Sequence, residues 1–312
     1  MTVRSVAAAV AVAAICAWSL AGLPAVAEEP SGAAALPPAI VADPLADPDY
    51  PPTGISMQFR SHGALLNGLV YRPSGNGPHP TVVMFHGLPG NETNMDLAQV
   101  LSRAGWTVVT FHYTGSWGSG GRFTLRNGVD DAAALLRHMR QPDIAQAWGV
   151  DPDHVLLIGH SYGGYVAARA AAEQPGVIGL VLMAPWDISF DTRQWGPLPP
   201  AERKRTAAAS FDDVDGRLTG ADHVSLTAEV MKYGPALDLA KIAPSLTRIP
   251  VLLITVTHDD EDDKAADFLA RMQHLDAPKF TSQLMDTDHS FDSQRIGLEA
   301  AILRWMASLP AT

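Results

Sequence analysis

Five residues, Gly159-His160-Ser161-Tyr162-Gly163, restrict the fold of this chain more than any other stretch of it. The apolar run Val155-Leu156-Leu157-Ile158 precedes them, and the Ala-rich stretch Tyr165–Glu173, with helical character, follows. A strand that passes directly into a helix has to bend sharply, and the central serine then stands at the apex of the bend. Glycine is required on both sides, because a Cβ there would strike the adjoining strand or helix. The bend lifts the Ser161 hydroxyl out of the sheet and aims the positive end of the next helix at it. G-x-S-x-G alone arises by chance in many sequences; the strand before and helix after give this match its weight.

The rest of the chain has a matching rhythm. Ile55–Arg60 and Leu65–Arg72 read as a hairpin through His62-Gly63. Strand-like runs follow at Thr81–Phe85, Thr107–His112, Val155–Ile158, Ile178–Met183, Val251–Val256 and Lys279–Leu284. Helical patterns lie between and after them at Met95–Ala104, Asn127–Arg140, Tyr165–Glu173, Asp263–Leu275 and Ser290–Ala307. Strands alternating with helices imply right-handed crossovers and a mostly parallel sheet covered on both faces, an α/β fold. Between Trp186 and Arg248 the strands stop, and helical patterns with Pro-rich joints read as a cap insertion, residues 187–248, over the strand ends.

The first 27 residues stand apart. Arg4, the apolar segment Val6–Leu23 and the A-x-A ending at Ala27 read as a signal peptide, hence an exported protein, periplasmic or secreted. An uncleaved anchor is the alternative reading. Residues 28–54, rich in Ala, Pro and Asp, read as a flexible leader to a single domain spanning 55–312. The one cysteine, Cys16, lies in the apolar segment, so the mature chain is expected to rely on its core and not on disulfides. The formal net charge of −11 becomes −12 once Arg4 is removed. That balance argues against nucleic acid or anionic membrane surfaces as partners.

A serine hydroxyl attacks carbonyl carbon at neutral pH only with a base in reach, a carboxylate to orient that base, and donors for the oxyanion. For a sheet-top serine the chain order is serine, acid, histidine. Of the eleven histidines, His289 fits: it lies just after the last strand-like run, at the sheet edge that Ser161 shares. Asp259, after the buried run Val251–Val256, is the candidate acid, with Asp260 and Asp187 as alternatives. The remainder of the acidic cluster 259–263 reads as a solvated helix start. The Tyr162 N–H is one candidate oxyanion donor; Leu88, in His86-Gly87-Leu88-Pro89-Gly90, is the second, because Pro89 has no N–H. No metal-ligand spacing is present, and the Gly-rich stretch 115–121 lacks nucleotide-binding spacing, so no metal or cofactor is expected.

These motifs together resemble the α/β-hydrolase superfamily, and within it the dienelactone-hydrolase and prolyl-oligopeptidase-like branch. The segment Phe111-His112-Tyr113-Thr114-Gly115 and the glycines after it are similar to the Tyr-x-Gly segment of that branch. The resemblance runs from about residue 55 to 310 and implies Ser161 as nucleophile, Asp259 as acid, His289 as base, and Tyr162 and Leu88 as oxyanion donors. Val256 departs from a glycine common in the family, and residues 28–54 cannot supply the propeller of full prolyl oligopeptidases. The expectation is a monomeric or weakly associating serine hydrolase acting on small-molecule esters through an acyl-enzyme. A peptidase or amidase, an acyltransferase, and a non-catalytic binding protein are the rivals. Replacing Asp259 by Asn should lower turnover about 10⁴-fold in steady-state ester assays; near-normal turnover would move the acid to Asp260 or Asp187.

Overall fold

The computed structural model describes residues 35–258 and 262–309. Eight strands, β1 (Thr53–Ser61), β2 (Ala64–Arg72), β3 (His79–Phe85), β4 (Thr107–Phe111), β5 (Val150–His160), β6 (Val177–Met183), β7 (Val251–Val256) and β8 (Phe280–Met285), make one sheet. Their order is β1-β2-β4-β3-β5-β6-β7-β8. β1 pairs with β2, and β2 with β4, in antiparallel fashion, while every pairing from β4 to β8 is parallel. The hairpin turns at His62 and Gly63, both in the left-handed region at φ 49° and 76°, as a two-residue turn requires.

Among the described residues eleven α-helices accompany the sheet. α1 (Pro38–Val41) precedes it, and α2 (Met95–Arg103), α3 (Asn127–Met139), α4 (Pro142–Trp148) and α5 (Tyr162–Glu173) connect strands β3 to β6. Between β6 and β7 the chain is helical: α6 (Ile188–Trp195), α7 (Pro200–Ser210), α8 (His223–Tyr233) and α9 (Ala243–Leu246). α10 (Ala266–His274) joins β7 to β8, and α11 (Arg295–Ala307) closes the chain. α2 and α11 cover one sheet face, α3, α5 and the cap the other, each over its own buried apolar cluster. Central-strand residues such as Val82, Val109, Leu157, Leu180 and Leu253 are fully buried, as a sheet covered on both sides demands. β3 leads left to β4 and β5 returns on its right, so the strand order reverses between β3 and β5. Their carboxyl ends, carrying His86-Gly87-Leu88 and Ser161, open the crevice where such sheets bind ligands.

Three departures from the sequence reading have local causes. The leader expected over 28–54 is, from Leu36 onward, tied to the domain. Ala39 and Ile40 pack on the α2–α11 face, Arg103 Nε donates to Ala39 O at 2.7 Å, and Gly75 N donates to Tyr50 O at 2.9 Å. Backbone ties of this kind leave no mark on composition. α4 fits no long apolar period: its seven residues begin at Pro142 and stop at Gly149, φ 69°. α11 starts at Arg295 and not at Ser290, because Asp288 Oδ1 accepts from Asp292 N at 2.8 Å and Phe291 turns at φ 61°. The proposed signal peptide, residues 1–27, lies outside the described residues.

The packing of β5 against α5 leaves no room beside Ser161. A Cβ on Gly163 would sit 2.1 Å from the Phe85 carbonyl oxygen, and one on Gly159 2.2 Å from the Gly163 oxygen. Both obstacles are backbone and cannot yield as a side chain would. Gly163→Ala should cost about 3 kcal/mol of unfolding free energy, read from urea denaturation; a loss under 1 kcal/mol would mean the turn is looser than described.

Candidate active site

Ser161 has φ 54° and ψ −121°, a backbone region that costs roughly 1–3 kcal/mol for a residue other than glycine. Its main chain is clamped from both directions. Ser161 N donates to Met183 O at 3.0 Å, while Ser161 O accepts from Gly164 N and Trp186 N, each at 2.9 Å. The strain is therefore held by β6 and the chain leaving it. Tyr162 opens α5, so its N–H has no intrahelical acceptor. Its ring is buried, and the hydroxyl donates to Leu125 O at 2.8 Å. Burial keeps that phenol protonated, with its pKa raised well above the usual value.

His289 sits in the loop between β8 and α11 and lines the same cavity as Ser161. What brings the two loops together is His160. Its Nε2 lies 2.8 Å from His289 O, which a carbonyl can only accept, so Nε2 carries the proton. The two imidazoles also meet at 4.9 Å, tilted by 42°, and Phe291 packs edge to face on His160 at 6.1 Å. His160, directly before the serine, is thus the link between the serine turn and the histidine loop.

The β7 and β8 loops are joined as well. His258 Nε2 and Thr257 Oγ1 bond Asp286 Oδ1 at 2.8 and 2.7 Å, and His258 N donates to Thr287 O at 3.0 Å. Asp259 and its alternative Asp260 come immediately after His258 and lie outside the described residues. Asp187, the second alternative, has another task. It caps α6, accepting from Ser189 N at 3.0 Å, Ser189 Oγ at 2.8 Å and Leu239 N at 3.2 Å. It is fully buried, and desolvation raises its pKa despite those bonds. Asp288 likewise turns its carboxylate to Asp292 N and Thr287 Oγ1 within its own loop.

The loop after β3 packs directly against the serine. A Cβ on Gly87 would lie 3.0 Å from Ser161 Cβ. His86 Nδ1 lies 2.7 Å from Gly87 O, so the ring holds that carbonyl and Nδ1 is the protonated nitrogen. In the trans Gly87–Leu88 peptide the Leu88 N–H points opposite to the Gly87 carbonyl, away from His86; Leu88 lines the cavity with Ser161. His86 Nε2 and His112 Nδ1 are buried with no hydrogen-bond partner. Burial is the chief cause that lowers the His86 pKa to about 4, with the nearby His112 adding to it against the Gly87 bond.

The cavity over Ser161 has a volume of about 520 Å³. Its apolar wall is Leu88, Trp186, Phe211 and Val214, with Trp186 and Phe211 edge to face at 5.9 Å. Trp195 is buried behind Phe211 at 5.9 Å. Sequence reasoning missed Asp191 and Lys264. Trp186 Nε1 donates to Asp191 Oδ2 at 2.6 Å, and Lys264 Nζ lies 3.7 Å from the same oxygen and 5.6 Å from the Trp186 ring. A lysine within an acidic run carries no sequence sign that it turns inward.

Known proteins match this architecture. The model of the alpha/beta hydrolase family matches residues 82–295, more than half of the chain, and the protein belongs to that family. The quorum-quenching protein AidA of Acinetobacter baumannii is 24% identical over 183 residues, 56% of this chain and 58% of its own length. The chain thus spans under two thirds of that curated relative. Among solved structures, the Pyrococcus furiosus esterase Pf2001 superposes with TM-score 0.59 at 14% identity, covering 86% of this chain and 97% of that one. A Pyrococcus horikoshii acylaminoacyl peptidase gives TM-score 0.59 at 16% identity over 83% of this chain and 41% of that one. At such identities the likeness is one of fold.

The His86 shift gives a signed expectation. Above pH about 6.5 the ring is neutral in both folded and unfolded chains. Between 6.5 and 4 the unfolded chain takes up a proton that the buried ring refuses, so acid removes stability, by roughly 3 kcal/mol once pH is below 4. The stability gap between wild type and His86→Gln, from urea unfolding, should shrink by that amount from pH 7 to 4. A gap independent of pH would show that His86 titrates normally.

Proposed function

We infer that the protein is an exported serine hydrolase that cleaves carboxylic esters through an acyl-enzyme on Ser161. The observation that carries this reading is the strained, clamped backbone of Ser161, which presents its hydroxyl to the cavity that His289 also lines. Ser161 Oγ attacks the ester carbonyl while His289 takes its proton, and Asp259 orients the imidazole and stabilises its cation. The carbonyl oxygen, now negative, is met by the N–H groups of Tyr162 and Leu88, each worth roughly 3–4 kcal/mol at the transition state. Collapse breaks the bond to the leaving oxygen, which departs as the alcohol with the proton from His289. Water then adds to the acyl carbon as His289 accepts its proton; the carboxylic acid leaves and Ser161 regains its hydrogen.

The apolar wall of Trp186, Phe211 and Val214 suits an uncharged acyl group of modest size. The esterase among the structural neighbours, of nearly the same chain coverage, supports esters over peptides. Incubation with a fluorophosphonate should place one adduct on Ser161, located by peptide mass spectrometry and absent in Ser161→Ala. Aryl esters should then be turned over in preference to aminoacyl anilides. Dominant anilide cleavage would make the protein a peptidase, dominant transfer to added alcohol an acyltransferase, and no adduct on intact protein a binding module.

A further inference from the structure

The Gly-rich stretch 115–121 has no part in the chemistry so far, yet it is tied to the sheet, to α3 and to the cap. Thr114 N and Oγ1 both donate to the buried Asp131 carboxylate on α3, each at 2.8 Å. Gly115 N donates to Gly120 O at 2.9 Å, and Gly120 N to Leu65 O on β2 at 2.9 Å. Asn67 Nδ2 adds a bond to Gly118 O at 2.6 Å. From the cap, Thr219 N donates to Gly115 O at 2.7 Å, beside a bridge between Ser116 and Leu218.

This rigid loop presents Trp117 in an otherwise unfavourable state. The residue has φ 44° and is 44% exposed, a strained backbone and a wetted indole that packing alone does not explain. Its indole N–H donates to Pro89 O at 2.7 Å. Pro89 follows Leu88, and the neighbouring carbonyls of the same loop are held too. His86 O accepts from Tyr113 Oη at 3.0 Å, and Gly87 O faces His86 Nδ1 at 2.7 Å. Between the two rings sits Gly90, where a Cβ would lie 2.7 Å from Trp117 Nε1 and 2.8 Å from His86 Cε1.

We propose that Trp117 is a positioning residue for the oxyanion loop: its indole N–H fixes the Pro89 carbonyl and thereby holds the Leu88 N–H facing Ser161. The proposal rests on the hydrolase reading of the site. It acts on the transition state, because an oxyanion exists only there, so its loss falls on kcat and spares KM. Trp117 touches neither substrate nor Ser161; it acts through Leu88.

The test replaces Trp117 with benzothienylalanine, which keeps the bicyclic shape and puts sulfur where the N–H was, and separately makes Trp117→Phe. On p-nitrophenyl acetate kcat should fall about 10- to 100-fold in both, with KM within twofold and Tm within about 2 °C of wild type. Wild-type turnover by the benzothienylalanine protein, or a loss carried by KM, overturns the proposal. The amide resonance of Leu88 provides a reading independent of activity. It should shift and broaden in ¹⁵N spectra of both variants, and an unchanged resonance would equally overturn the assignment. Fluorophosphonate labelling of wild-type Ser161 separates failure of this proposal from failure of the hydrolase reading.

Discussion

The site depends on a backbone contact where no side chain fits. Gly163 brings the first turn of α5 against the Phe85 carbonyl at the end of β3, and Gly159 lets β5 pass under that same turn. This close approach sets Ser161 at its positive φ and brings the β3 loop within van der Waals distance of it. Neighbouring strands then hold what the glycines allow, through the Met183 carbonyl and the Trp186 amide. The strain at Ser161 is maintained by two strands and a helix together, as a locally unfavourable conformation has to be.

Around that turn the loops are organised largely by main-chain carbonyls. His289 O is held by His160, Gly87 O by His86, His86 O by Tyr113 and Pro89 O by Trp117. Each donor is an aromatic or imidazole ring, a stiff side chain with few torsions to lose on ordering. Burial lowers the pKa of one of these rings, His86, and that of its neighbour His112. The cap enters the network through Thr219, so the Gly-rich loop touches the sheet, the cap and the loop after β3 at once.

Much of this was legible in the sequence because it rests on periodicity and glycine. The strand-turn-helix at Ser161, the alternating elements and the strand-free interval before β7 all follow from local patterns. Where the reading fell short, the cause was tertiary. The leader is anchored through backbone atoms of Ala39 and Tyr50, which no composition reveals. Asp187, weighed as an acid because it follows a strand, is committed to capping α6. Lys264, Asp191 and Trp117 gained their places only when separate segments met. His160, beside the serine in sequence, reaches the far loop only through the fold.

The bond from His160 grips the peptide of residue 289. The place of residue 289 is thus fixed through its main chain, apart from the side chain it bears. Another side chain at 289 would be delivered to the same spot, so the scaffold can host altered chemistry there without first rebuilding its loop.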